Sequence, residues 1–526
     1  MITKKLIIKF VFVSGVICCF SACTENYLEY NTNPYEATKD QMNADGYIWK
    51  SALLNMQGYV IPVTPNTLQY TDCLLGGTYG GYLGESKAND WNNRFSTYNP
   101  SQDWIRVLYK DIIPKVLPSL GQIEANTTNE IPLAVAKIVK VAALHRITDA
   151  YGPIPYTQLG ADGKLTSPFD SQQTVYVQMI KELDASIATL TEKQSASFNA
   201  DADKVYEGNV VKWIKFANSL KLRLAMRMVY TNYNVEGKTP RDIAEEAVKH
   251  EVGVMTTNAD NAMFTPNENP FYKTNYEYSD YRAAADIVSY MKGYNDSRME
   301  KYFTPSTFVD KGYHGIRIGT GVLTNSETSH SYSNMLITLS SKLLWMNAAE
   351  VAFLEAEGAL RGWDMKGVNA ESYYQKGIIL SFEQWGASGV ESYLTSERTP
   401  SVYVDPAGEF TYQGVPSSIT VKWKEITGFD EENLERIITQ KWIANFPLGL
   451  ESWAEFRRTG YPKLMEVVKN LGTEIKNGKF ARRLAYPQDE YFDNKENMPQ
   501  ALQYLQGGDV MSTHVWWDCN PRLINE

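Results

Sequence analysis

The chain reads as a mainly α-helical protein with long aromatic loops and a few short β-hairpins. Three observations predict that class. Apolar residues recur at helical spacing over several long segments, paired helical segments are separated by short polar turns, and aromatic rings crowd the stretches where periodicity is lost. Of 526 residues, 43% are hydrophobic and 21% charged, which supplies apolar chain for a large core. The net charge of −10 excludes nucleic acid as the main partner, because such a partner needs a basic face.

The first element is a leader. Lys4, Lys5 and Lys9 form a basic start, and the apolar run from Phe10 to Phe20 is too short for a permanent membrane helix. Ser21 and Ala22 then lead into Cys23, an order that resembles a bacterial lipoprotein signal with Phe20 in place of the usual Leu. The resemblance implies cleavage before Cys23 and acylation of its sulfur, giving a membrane anchor. The expected organisation is a signal over residues 1–22, a lipidated tether over 23–44 and a single domain over 45–526. Loss of the leader takes the net charge to −13 and leaves Cys23, Cys73 and Cys519. The last two are read equally as a disulfide or as two buried thiols.

A helix is expected from Asp45 to Gly58, followed by a long non-periodic region from Asn66 to Asn99. That region mixes Gly76, Gly77, Gly80, Gly81 and Gly84 with Tyr79, Tyr82, Trp91 and Tyr98. Loops of this length are uncommon unless they carry function. Trp104, Leu108 and Ile112 then share a stripe. Leu133 to Tyr151 is apolar on several sides and stops at Gly152-Pro153. Val175 to Leu190 and Asn209 to Tyr230 follow, the second with Trp213, Phe216, Leu220 and Leu224 on its buried face. Ser341 to Gly362 carries closely spaced Ala residues suited to a tight helix neighbour, and Ala370 to Trp385 is its partner. Asn433 to Phe446 and Leu450 to Arg458 close the helical part.

Irregular, ring-rich stretches lie between these helices. Pro266 to Tyr281 holds Tyr276 and Tyr278, and Phe308 to Asn334 holds Tyr313. Ser401 to Tyr412 alternates around Asp405-Pro406-Ala407-Gly408 and reads as a β-hairpin. The tail from Ala481 is rich in Pro and aromatic residues and reads as irregular.

Several segments together resemble the SusD/RagB family of Bacteroidetes outer-membrane lipoproteins. They are Arg146 to Tyr156 (RITDAYGPIPY), Trp213 to Arg227 (WIKFANSLKLRLAMR), Asn295 to Arg298 (NDSR), Ala348 to Glu357 (AAEVAFLEAE), Arg482 to Pro487 (RRLAYP) and Trp516-Trp517-Asp518. The resemblance implies a tetratricopeptide-like helical-hairpin scaffold with a loop-rich ligand face. It also implies that the lipoprotein sits as a lid on a SusC-like TonB-dependent β-barrel transporter and captures oligosaccharides for import. Within these segments Asn218, Arg223 and Arg227 are read as structural, paired with helix ends or with acids such as Glu350 and Glu357.

A sugar needs flat apolar faces rimmed by hydrogen-bonding groups. Tyr79, Tyr82 and Trp91 are the expected platforms, with Asp90, Asn92 and Asn93 as polar neighbours, and Tyr276, Tyr278 and Tyr313 as further candidates. The chain has no H-E-x-x-H zinc motif, no G-x-S-x-G elbow and no phosphate-cradling loop, and its five histidines are scattered. No catalytic residue, cofactor or metal is therefore assigned. A peptide-binding lipoprotein of RagB type is the main alternative. A lipoprotein glycoside hydrolase is the lesser one, since no carboxylate pair stands out among 61 acids.

Overall fold

A computed structural model describes residue 41 and residues 44–87, 91, 93–158, 166–321 and 325–524. Cys23, Asp90 and Asn92 lie outside the described residues. The architecture is a stack of antiparallel helix pairs of tetratricopeptide type, with short strands and long connections gathered beside it. The main helices are α1 (Tyr47–Gln57), α2 (Ile113–Asn126), α3 (Glu130–Tyr151), α4 (Gln172–Glu192), α5 (Val210–Arg227) and α6 (Pro240–Lys249). They continue with α7 (Ala285–Tyr294), α8 (Ala348–Leu360), α9 (Ala370–Trp385), α10 (Glu431–Ala444) and α11 (Gly449–Thr459). Among the described residues no helix is long and apolar enough to cross a membrane.

Neighbours in sequence pack as neighbours in space: α1 on α2, α3 on α4, α4 on α5, α5 on α6 and α8 on α9. Their starts follow from side-chain capping. Asn129, Asn209, Asn347 and Asn369 each accept a hydrogen bond from a backbone N–H in the first turn of α3, α5, α8 and α9. At the end of α3, Gly152 takes φ +87°, a backbone conformation a side chain would oppose.

Buried ions tie the helices at the centre. Arg223 on α5 makes a two-pronged contact with Glu350 on α8, both bonds at 2.7 Å, and Asn445 donates to the same carboxylate. One turn on, Arg227 reaches Glu451 and Glu455 of α11, while Lys441 and Arg458 also hold Glu455. Burial by itself would raise the Glu451 carboxyl, and Arg227, Arg223 and Lys441 overcome it, leaving a pKa of about 2. Asn218 donates to the Gly253 carbonyl at 3.1 Å. The polar groups of α5 thus serve the scaffold, as the sequence suggests.

Several sequence expectations need correction. The region from Asn66 is not one long loop. Pro65–Leu68 and Gln69–Gly77 form a continuous helical run whose second part has wide, π-type turns. Its glycines serve packing: a Cβ on Gly76 would stand 2.8 Å from the Leu450 backbone nitrogen, so the run can lie against α11 only without one. Leu343–Met346 is strand β4, so α8 begins only at Ala348. The Ser401 to Tyr412 stretch forms a turn without a strand ladder, because the Asp405 carboxylate takes the Glu409 and Phe410 amide protons. The tail includes short helices at Gln488–Asp493 and Met498–Gln503.

The strands pair over long range. β1 (Leu83–Glu85) runs antiparallel to β3 (Tyr281–Ala283), and β2 (Ala262–Phe264) antiparallel to β4.

Candidate functional site

The β1–β3 pair builds the site, because it joins the two ring-rich stretches. Leu83 sits opposite Ala283 and Glu85 opposite Tyr281. Just past the pair, the Ser86 N–H donates to the Asp280 carbonyl at 2.8 Å and its hydroxyl to the Ser279 carbonyl at 3.0 Å. Ser86 therefore lies beside the end of a helical segment, Pro270–Tyr272 continuing into the wide-turned Lys273–Tyr278, so the stretch expected to be irregular carries Tyr276 and Tyr278 on helical turns.

Trp91 is partly buried and its indole meets that of Trp104 edge to face, centroids 4.9 Å apart at 87°. Trp104 in turn packs on Tyr70 at 5.3 Å and on Phe95 at 5.5 Å. Its position is fixed locally, since Ser101 caps the short helix Gln102–Ile105 by accepting from the Trp104 N–H. The Trp91 backbone is held too: Arg94 Nε donates to its carbonyl at 3.1 Å. The Lys87 ammonium and the Arg94 guanidinium each lie 5.8 Å from the Trp91 ring centre.

Tyr278 extends the same face. Its hydroxyl donates to Asn66 Oδ1 at 2.9 Å, and it stands with Asp280 and Asp103 close to Tyr70. Burial, followed by the charges of Asp280 and Asp103, raises the Tyr70 phenol above its ordinary value. Tyr276, 39% exposed, packs on Tyr272 at 4.9 Å and donates to the Met335 carbonyl. Asn93 is exposed two positions past Trp91.

Beside Tyr70 and Trp104 opens a groove of about 680 Å3 whose polar wall includes Ser101, Asp103, Arg106, Lys110 and Asp489. Arg106 lies 3.5 Å from Asp103 and 3.7 Å from Asp489, and Lys110 is 2.7 Å from Glu490. The groove thus sets charged hydrogen-bonding groups beside ring faces. Among the described residues no cluster of three His, Cys, Asp or Glu side chains is arranged to hold a metal ion.

Two expected platforms do not belong to this face. Tyr82 has no exposed surface: it stacks on Trp442 at 5.6 Å and 14°, and its hydroxyl donates to the Trp442 carbonyl. Tyr79, 6% exposed, packs edge-on against Trp453 and Phe95. Both rings are core, because the glycine-bearing helical run buries its neighbours against α10 and α11. Tyr313 is partly buried near Glu300 and Lys301 and makes no ring contact with the Trp91 or Tyr278 group among the described residues. Conversely, sequence reasoning missed Tyr70 and Asn66. Its spacing with Leu108 and Ile112 pointed Trp104 to the core, and the structure buries all three, with Trp104 backing Trp91 from there. Cys73 and Cys519 are free thiols, with Cys73 buried beside Thr274.

Comparison with known proteins adds the family. A family model described as SusD-like, SusD and RagB outer membrane lipoprotein, matches residues 29–518. The chain belongs to the SusD-like family. Solved SusD homologs superpose over nearly the whole fold. One from Bacteroides uniformis is 47% identical, with TM-score 0.85, covering 90% of this chain and 100% of its own. One from Bacteroides ovatus is 43% identical with TM-score 0.85, covering 90% and 99%. A chitin-binding SusD homolog from Flavobacterium johnsoniae is 34% identical with TM-score 0.85, again covering 90% and 99%. No match is found among curated proteins. The recognisable segments are helix-packing ones: Arg223, Arg227 and Glu350 hold the helix stack, whereas Trp91 stands on a loop and Tyr278 at the end of a short helical segment outside the stack.

Proposed function

We propose that this SusD-like protein is a non-catalytic, cell-surface lipoprotein that binds oligosaccharides and delivers them to a SusC-like TonB-dependent transporter in the outer membrane. The observation that carries the binding reading is the pair of half-buried rings Trp91 and Tyr70, both backed by the buried Trp104, with Tyr278 near Tyr70 and a charged groove alongside. Pyranose C–H groups rest against ring faces, and hydroxyls pair with Asn66, Asn93, Arg106 and the groove carboxylates. Asn92 and Tyr276 extend the same ligand set. The chitin-binding homolog supports a glycan over a peptide as the ligand class.

Cys23 is the lipid attachment point in this reading. Two or three acyl chains, each adding about 0.8 kcal/mol per buried CH2, anchor the protein durably. The tether keeps a mobile lid at high local concentration beside its transporter. Retardation of the protein in gels containing a panel of polysaccharides, chitin derivatives among them, tests the binding reading. Retardation by at least one glycan, lost in Trp91→Ala, is expected; retardation by none contradicts it. A Cys23→Ser protein is expected to leave the membrane fraction.

A further inference from the structure

The groove beside Tyr70 and Trp104 has an unequal charge balance. Among the described residues its lining holds four carboxylates, Asp103, Asp111, Asp489 and Asp493, and two cations, Arg106 and Lys110. Both cations are already engaged. Arg106 stands 3.5 Å from Asp103 and 3.7 Å from Asp489, and Lys110 stands 2.7 Å from Glu490 and 3.9 Å from Asp493. Asp111 takes only a hydroxyl, that of Thr67 at 3.0 Å, and pairs with no cation among the described residues. Two of the carboxylates also reach further into solvent than either cation: the side chains of Asp103 and Asp493 are 83% and 74% exposed, those of Arg106 and Lys110 50% and 30%.

The rings beside the groove see the same sign. Burial first, and then the charges of Asp280 and Asp103, raise the Tyr70 phenol. Near Trp91 the Lys87 ammonium lies 3.8 Å from Asp280, and Arg94 has no exposed surface from which to meet a ligand.

We infer that this groove selects glycans without acidic substituents and turns away those that carry carboxylate or sulfate. The inference names the ligand class of the site and rests on the glycan-binding reading. An acidic substituent reaches Arg106 or Lys110 only by displacing a carboxylate that already holds it, and it then faces that carboxylate as a second negative charge. Sugar hydroxyls meet no such opposition, because they donate to the same carboxylates.

Affinity gels of the full chain with three matched backbones test the selection: hydroxyethyl and carboxymethyl cellulose, glycol and carboxymethyl chitin, and dextran and carboxymethyl dextran. For any backbone that retards the wild type, the uncharged form is expected to bind about three- to tenfold more tightly than the carboxymethyl form at 10 mM salt. Most of that gap is expected to close at 1 M salt, where the screening length falls from about 30 Å to about 3 Å. Asp103→Asn with Asp493→Asn is expected to narrow the low-salt ratio about threefold. Glu192→Gln with Glu391→Gln removes the same charge from exposed positions outside the groove lining and is expected to leave the ratio unchanged. A carboxymethyl form held as tightly as its uncharged partner, or a ratio that narrows equally in both double variants, overturns the inference and leaves the glycan reading standing. Retardation by neither form of any backbone removes the glycan reading and this inference with it.

Discussion

Trp91 rests edge to face on Trp104, with ring centres 4.9 Å apart, so a loop residue is held by a ring anchored in the core. Trp104 is only 9% exposed, and its role toward ligand is to support its neighbour. Trp104→Ala removes a buried indole and is expected to cost about 3–5 kcal/mol of stability in urea denaturation. Glycan affinity is expected to fall as well, because Trp91 and Tyr70 lose their shared wall. Unchanged affinity in a folded variant would show that Trp91 does not depend on this support.

The buried ions at the helix stack give a second expectation. Glu350 accepts from Arg223 twice and from Asn445 once, with no exposed surface. Glu350→Ala takes from the buried Arg223 its two-pronged partner and leaves it only the more distant Glu451 carboxylate at 3.7 Å, a change expected to cost about 3–5 kcal/mol. Protein that still folds is expected to bind glycan with wild-type affinity, measured at a temperature below its unfolding.

Helix spacing, caps and paired ions made the scaffold legible in the sequence. The Ala370–Trp385 helix appears with the expected bounds, and the pairing of Arg223 with Glu350 follows from charge that must be neutralised when buried. The site was only partly legible. The stretches that carry Trp91 and Tyr278 stand apart in sequence and are joined because β1 pairs with β3, a long-range pairing that three-residue strands do not announce. Tyr79 and Tyr82 misled because glycine-rich sequence reads as loop, whereas here the glycines admit α11 at close range. Ring count alone does not separate a stacking platform from a core ring; the deciding quantity is burial, which tertiary packing sets.

That difference is measurable at Tyr82. Removing its hydroxyl in Tyr82→Phe deletes a buried hydrogen bond to the Trp442 carbonyl and is expected to cost about 1–2 kcal/mol. Glycan binding is expected to stay within error of wild type. A loss of affinity without loss of stability would restore Tyr82 to the ligand face.

Glu85, beneath the Trp91 loop, supplies a pH dependence. Burial raises its carboxyl from an ordinary 4.5 to about 7, against the opposing Ser96 hydroxyl and Arg94 charge. An acid with a raised folded pKa binds its proton more tightly when folded. Its favourable contribution is therefore complete below about pH 4.5 and is lost as pH rises through about 7, a swing on the order of 3 kcal/mol. Glu85→Gln cannot ionise, so its stability relative to wild type is expected to rise between pH 5 and pH 8 in urea titrations. A pH-independent difference would contradict the raised value.

The most direct test of the central claim is calorimetry of Trp91→Ala and the wild-type protein with a glycan that retards the wild type. Loss of this half-buried platform is expected to lower affinity about tenfold or more, near 1.4 kcal/mol, in a protein that still folds. Wild-type affinity in a folded Trp91→Ala protein would contradict the assignment of this aromatic face as the glycan site.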